Sequence, residues 1–198
     1  MYLWLNAGDT DRAASFAEKV LADRPTNKDA LYIMGLIDSR EGQAERALAR
    51  YRSAYPELLD NPDVTIHKRN FWVAVNFAHL LQATGDHLEA NRLLDLTLAY
   101  IQTIQRLGVG GDGYGVVDVK IYTMQARKDM ALAALRQAVD EGWRLIWRIN
   151  LKHDTSLAAL HSEPEYRAIV AELEAEMAAQ VKRIREMEAK GELPPIPE

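Results

Sequence analysis

Apolar residues recur along this chain at spacings of three and four, with polar residues between them. That rhythm predicts amphipathic helices. Leu31, Met34, Gly35 and Ile37 form one stripe. Ala74, Ala78 and Leu81 form another, with Phe71, Trp72 and Phe77 nearby, and Val119, Ile121 and Tyr122 form a third. Each stripe ends at a small residue: Gly42, Gly85 and Ala126. A second stripe then begins. Ala13, Ala17 and Val20 follow Gly8, and Ala47, Tyr51 and Ala54 follow Gly42 at an offset of 34 residues. Ala90, Leu94 and Thr97 follow Gly85; Ala131, Leu135 and Ala138 follow Ala126.

A physical role attaches to each position. Glycine permits the sharp turn between two helices. The alanine sits where two helix backbones come closest, and the larger residue four places on fills the gap between units. Pro25 stops a second helix before the next unit begins. A helix, a tight turn and a second helix at this period resemble the tetratricopeptide repeat (TPR) family. The resemblance implies an all-α fold, a right-handed α-solenoid of antiparallel helix pairs. Its implied ligands are extended peptides or partner helices.

The repeats are uneven. Ala47 to Ala90 spans 43 residues and Ala90 to Ala131 spans 41. The first insertion, residues 56–70, reads as a longer loop or an extra turn. The second falls around residues 101–115, where the preceding helix is expected to reach Leu107 before a glycine-rich break. Tyr2, Leu3, Trp4 and Leu5 represent a partial first helix, so the chain is expected to be the C-terminal piece of a longer protein. The expected organisation is TPR-like repeats over 1–145 (1–26 partial, 28–60, 68–107 and 112–145). Closing helices over 146–190 and an extended tail over 191–198 follow.

The segment from Ala131 onward resembles the closing unit of TPR arrays in bacterial proteins. Gly142, Trp143, Asp154, Leu157, Leu160, Glu163, Pro164 and Tyr166 carry that likeness. It implies attachment to an N-terminal DNA-binding or nucleotide-cyclase-like domain. Ser162 is the expected N-cap of a last helix, with Glu165 completing a capping box. That helix is expected to run to about Lys190, where Gly191 ends it.

Composition narrows the function classes. The chain has 198 residues, 24 basic and 29 acidic, for a net charge of −5. Direct nucleic-acid contact demands a basic footprint that this balance does not supply. With no cysteine, thiolate zinc sites and cysteine nucleophiles are excluded. The cytoplasm is the favoured compartment, with the periplasm as the alternative. No run is long and apolar enough to predict a membrane span, and the first residues do not read as a signal peptide.

No chemistry stands out in the motifs. Residues 108–115, GVGGDGYG, lack the Gly-Lys-Ser/Thr ending of a phosphate loop. They read as an inter-repeat turn that can still shape a binding edge. The five histidines show no i, i+4 pair, so no metal site is expected, nor any cofactor. Trp143, Trp147 and Tyr166 read as apolar filling at the array's end. By helical phase, Tyr32, Leu36, Arg40, Trp72, Asn76, His79, Gln82, Lys120 and Thr123 are expected to line a concave peptide groove. The resulting expectation is a protein-interaction scaffold rather than an enzyme, bound to a protein or peptide partner. Homodimerisation through the last helix is the alternative, and a small-ligand or enzymatic role near Gly108–Gly115 the weaker one.

Overall fold

A computed structural model describes residues 1–61, 63–106 and 113–193. Among these residues every regular element is helical, and there is no strand. The chain divides into two compact units, Met1–Leu160 and His161–Glu198.

The first unit is built from consecutive helices: α1 (Tyr2–Asn6), α2 (Thr10–Asp23), α3 (Lys28–Arg40), α4 (Ala44–Ala54), α5 (Glu57–Asp60), α6 (Phe71–Ala83), α7 (His87–Ile101), α8 (Val117–Met124) and α9 (Lys128–Asp140). A π-helical turn (Ile149–His153) and a 3₁₀ helix (Thr155–Leu160) close it. Helix pairs that follow one another in sequence pack together: α3 on α4, α6 on α7, α8 on α9. Side-chain caps start three of them. Asp9, Asn27 and Asp86 accept from the backbone N–H of Arg12, Ala30 and Glu89.

The turns fall where the small residues stand. Gly8, Gly42 and Gly85 have φ of +80°, +72° and +92°, and Ala126 takes the same left-handed conformation at +57°. The alanines five residues after each turn, Ala13, Ala47, Ala90 and Ala131, are buried completely or nearly so. The core includes two clusters. One centres on Tyr51, Phe77, Leu81, Leu93 and Leu94. The other joins Ala13, Ala17 and Ile33 to Ile149 from the closing segment.

One boundary differs from the sequence reading. Helix α7 stops at Ile101 rather than Leu107, with turns after it; residues 107–112 lie outside the described ones. The insertion at 56–70 carries the one-turn helix α5, in line with the expected extra turn or longer loop, and its other described residues are not helical before α6.

In the second unit, α10 spans Pro164–Ala189. Its N-cap is Glu163, without a side-chain hydrogen bond, and not Ser162. Pro164 opens the helix, where its missing N–H costs nothing. Gly191, at φ +71°, follows the end, and the tail beyond residue 193 lies outside the described residues. No helix among the described residues is long and apolar enough to cross a membrane.

Candidate functional site

Helices α3, α6 and α8 each turn one face inward, and there they bring together five of the nine expected groove residues. Lys120, on α8, is fully buried. Its ammonium lies 4.7 Å from the Tyr32 ring centroid and 5.6 Å from that of Trp72. It also donates to Asn76 Oδ1 at 3.4 Å. Opposite stands Asp154, 2.5 Å from Lys120 Nζ. Asp154 further accepts from the Tyr32 hydroxyl at 2.8 Å and from the Ser156 hydroxyl at 2.6 Å. His79 Nε2 shares a 2.8 Å hydrogen bond with Thr155 Oγ1.

These bonds overturn the picture of an open groove. Asn150, Asp154, Thr155 and Ser156 all belong to the closing segment, which lies on the inner faces of α3 and α8. Tyr32, Leu36, Lys120 and Thr123 are consequently buried. The space left between Leu36, His79 and Asp154 is about 10 Å³, room for one water at most. Gln82 donates to the Met124 carbonyl and ties α6 to α8. Thr123 donates to the Val119 carbonyl in its own helix. Arg40 is exposed at the end of α3, apart from the cluster.

Burial and charge oppose each other here. Desolvation alone would raise the Asp154 carboxyl, but Lys120 and His79, with hydrogen bonds from Lys120 and Ser156, hold it at about 2. Desolvation pushes His79 below the ordinary imidazole value, with Asp154 and Lys120 pulling in opposite directions. Burial, with Asp154 alongside, raises the Tyr32 phenol well above its usual range, so Tyr32 acts as a donor. The cluster is a neutralised interior network that fixes the closing segment.

What remains open is a cavity of about 270 Å³ at the edge of this face. Its walls include Tyr2, Tyr32, Trp72 and Trp143, with Asn76 and Asn150 between them. Gly115 is wedged between the two tryptophans. A Cβ there would stand 3.2 Å from Trp143 Nε1 and 3.7 Å from the Trp72 ring, and its φ is +58°. Only glycine combines that backbone with that space.

Arg106 holds this edge. Its guanidinium donates to the Gly115 carbonyl at 2.9 Å and forks onto Asp118 at 3.0 and 2.8 Å. Glu141 sits 3.0 Å from Nε, and the Tyr114 ring centroid is 5.0 Å away. Leu145, which is 66% exposed, and Ile146 also line the cavity. Ile146 has φ +43°, a left-handed conformation that a β-branched residue adopts only when its surroundings impose it.

Tyr32, Trp72 and Asn76 are the expected groove residues that reach the cavity. Tyr2, Arg106, Leu145 and Asn150 were missed. Arg106 and Leu145 lie in sequence beside the glycine-rich stretch and the Gly142–Trp143 pair, whereas nothing local marks Tyr2. Of that stretch, Gly113 and Gly115 line the cavity, while residues 108–112 lie outside the described ones.

No family model and no solved structure matches the chain. A stretch of 88 residues, 44% of the chain, is 33% identical to a Pseudomonas putida protein named as a probable biofilm formation methyltransferase, WspC. That stretch is 19% of the relative's length, so the chain spans about a fifth of it. The match corrects the expectation that the protein is a scaffold and not an enzyme, because the relative's name is that of an enzyme.

Proposed function

We propose that the chain is a TPR-type helical region, arranged as a right-handed α-solenoid, that belongs to an enzyme of the methyltransferase class and holds a protein or peptide partner for it. The turn residues Gly8, Gly42, Gly85 and Ala126, all at positive φ, support the repeat reading. The likeness to the P. putida protein supports the enzymatic setting over a transcriptional or cyclase-like one. The observation that carries the binding role is the aromatic cavity of about 270 Å³ beside Leu145. Because the closing segment occupies the inner face, the partner meets the chain at this cavity rather than along α3, α6 and α8. Pockets of this kind, apolar with a few fixed polar groups, are the ordinary seats of ligands.

A photocrosslinking amino acid at Leu145 tests this in the intact protein. A control places it at Leu88, 81% exposed on α7. The expected result is a discrete protein adduct from position 145 alone, with the adducted partner accepting label from a radiolabelled methyl donor. Equal adducts from both positions, or an adducted partner that takes no label, would sink the proposal.

Self-association through α10 is a second reading with its own observation. Val181 and Ile184 are 47% and 49% exposed on an otherwise charged stretch. Light scattering of Val181→Ser/Ile184→Ser against the parent decides it: equal masses remove the idea.

A further inference from the structure

The geometry points to one class of occupant for the cavity: an uncharged aromatic side chain presented by a peptide segment of the partner. The inference rests on the partner-binding reading above and narrows it.

Size comes first. A cavity of about 150 Å³ lined by apolar side chains holds a benzene ring. At about 270 Å³, this one holds one ring or two fused rings, and not a helix or strand. The wall chemistry agrees. Tyr32, Trp72 and Trp143 offer rings that favour offset or edge-to-face partners.

Charge excludes the competitors. Asp29 at the rim already accepts from the Tyr2 hydroxyl at 3.0 Å and from Lys28 at 3.1 Å. Arg106 is committed to Asp118, Glu141 and the Gly115 carbonyl. Asn76 donates to the Trp72 carbonyl, and Asn150 donates to the Ile146 carbonyl while accepting from Tyr32. An entering carboxylate or ammonium would shed its water and have to compete with these existing ion pairs and hydrogen bonds. An aromatic ring gives up no such hydration.

Leu145 identifies the source as a chain rather than a free ring. It stands at the mouth with 66% of its surface in water. A ring in the cavity leaves that ledge wet. The residue flanking an anchor in a peptide covers it, in the way contacts around a binding hot spot exclude solvent.

The test titrates the full chain by NMR with capped peptides Gly-Ser-X-Ser-Gly, where X is Trp, Ala, Glu or Lys, and with N-acetyl-tryptophanamide. Leu145→Glu, a change at an exposed position checked by circular dichroism, serves as the blocked variant. The Trp peptide is expected to shift the Trp72 and Trp143 indole signals saturably. Binding is expected to weaken by about tenfold or more for the other peptides, for the free amide and for Leu145→Glu. A Glu or Lys peptide bound as tightly as the Trp peptide overturns this ligand class but leaves the partner-binding reading to its crosslinking test. Equal binding of the free amide overturns the peptide source. Shifts elsewhere, or none with any probe, overturn the site itself.

Discussion

Lys120 and Asp154 form an ion pair at 2.5 Å in which both side chains are sealed from water. They lie on α8 and on the closing segment, so the pair is the electrostatic tie that holds that segment against the inner face. Removing one partner leaves a buried charge unmatched, at a cost of about 3–5 kcal/mol. Lys120→Met and Asp154→Leu are each expected to lower stability by that order in urea unfolding. The double variant is expected to recover most of it. Equal losses in the double and single variants would place the stabilising effect outside the pair.

Acid is expected to weaken the first unit in two steps. His79 sits below its ordinary value of 6.5, so the unfolded chain takes the proton more readily. Stability therefore falls as pH drops from about 6.5 toward the folded value. Asp154 is held at about 2 against an ordinary 3.8. Its contribution is present above 3.8 and is lost as pH falls toward 2. Asp118 acts in the opposite sense, since burial raises it despite Arg106: its protonation favours the folded state as pH falls. Urea midpoints measured against pH check this. His79→Gln is expected to shrink the step near 6.5, leaving the share of His153, which burial also lowers, and to reduce the Asp154 step because His79 helps hold that carboxyl down.

Ala126 stands in a left-handed conformation, at φ +57°, where the turns at Gly8, Gly42 and Gly85 use glycine. Relief of that strain outweighs the greater freedom of an unfolded glycine. Ala126→Gly is expected to stabilise the chain by about 0.5–1 kcal/mol. Gly42→Ala is the mirror test: open space surrounds a Cβ there, so only the backbone objects, at about 1 kcal/mol. Opposite shifts in thermal midpoint are the expected outcome.

The turns, the buried alanines and the helix pairs were legible in the sequence because they are local. A three-to-four spacing names the face of a helix that turns inward, and a 34-residue offset names the unit. Neither says what covers that face. Tyr32 meets Asn150 and Asp154 across 118 and 122 residues of chain, and no periodic signal spans such a gap. Lys120 and Thr123 therefore read as groove residues although they are interior ones. The cavity was harder still, since it joins Tyr2, Trp72, Arg106 and Trp143 from four separate stretches. The early stop of α7 and the cap at Glu163 were missed because several residues there satisfy the same local rules.

Arg106 organises the cavity's edge through a two-pronged grip on Asp118 and a bond to the Gly115 carbonyl. Lysine keeps the charge but cannot reproduce that fork. Arg106→Lys is expected to lower the thermal midpoint by the equivalent of about 1–2 kcal/mol and to change the fluorescence of Trp143. An unchanged melt and spectrum would mean that Gly115 is held by other contacts.

The central claim is that the closing segment covers the faces of α3 and α8 that carry Leu36 and Thr123, while the cavity beside Leu145 stays open. The absence of cysteine makes thiol labelling a clean probe of it. Single cysteines at Leu36, Thr123 and Leu145 would be reacted with a thiol reagent under native conditions and again in denaturant. The account predicts fast labelling at 145, and protection at 36 and 123 that is lost on unfolding. Native labelling of 36 and 123 as fast as 145 would contradict it.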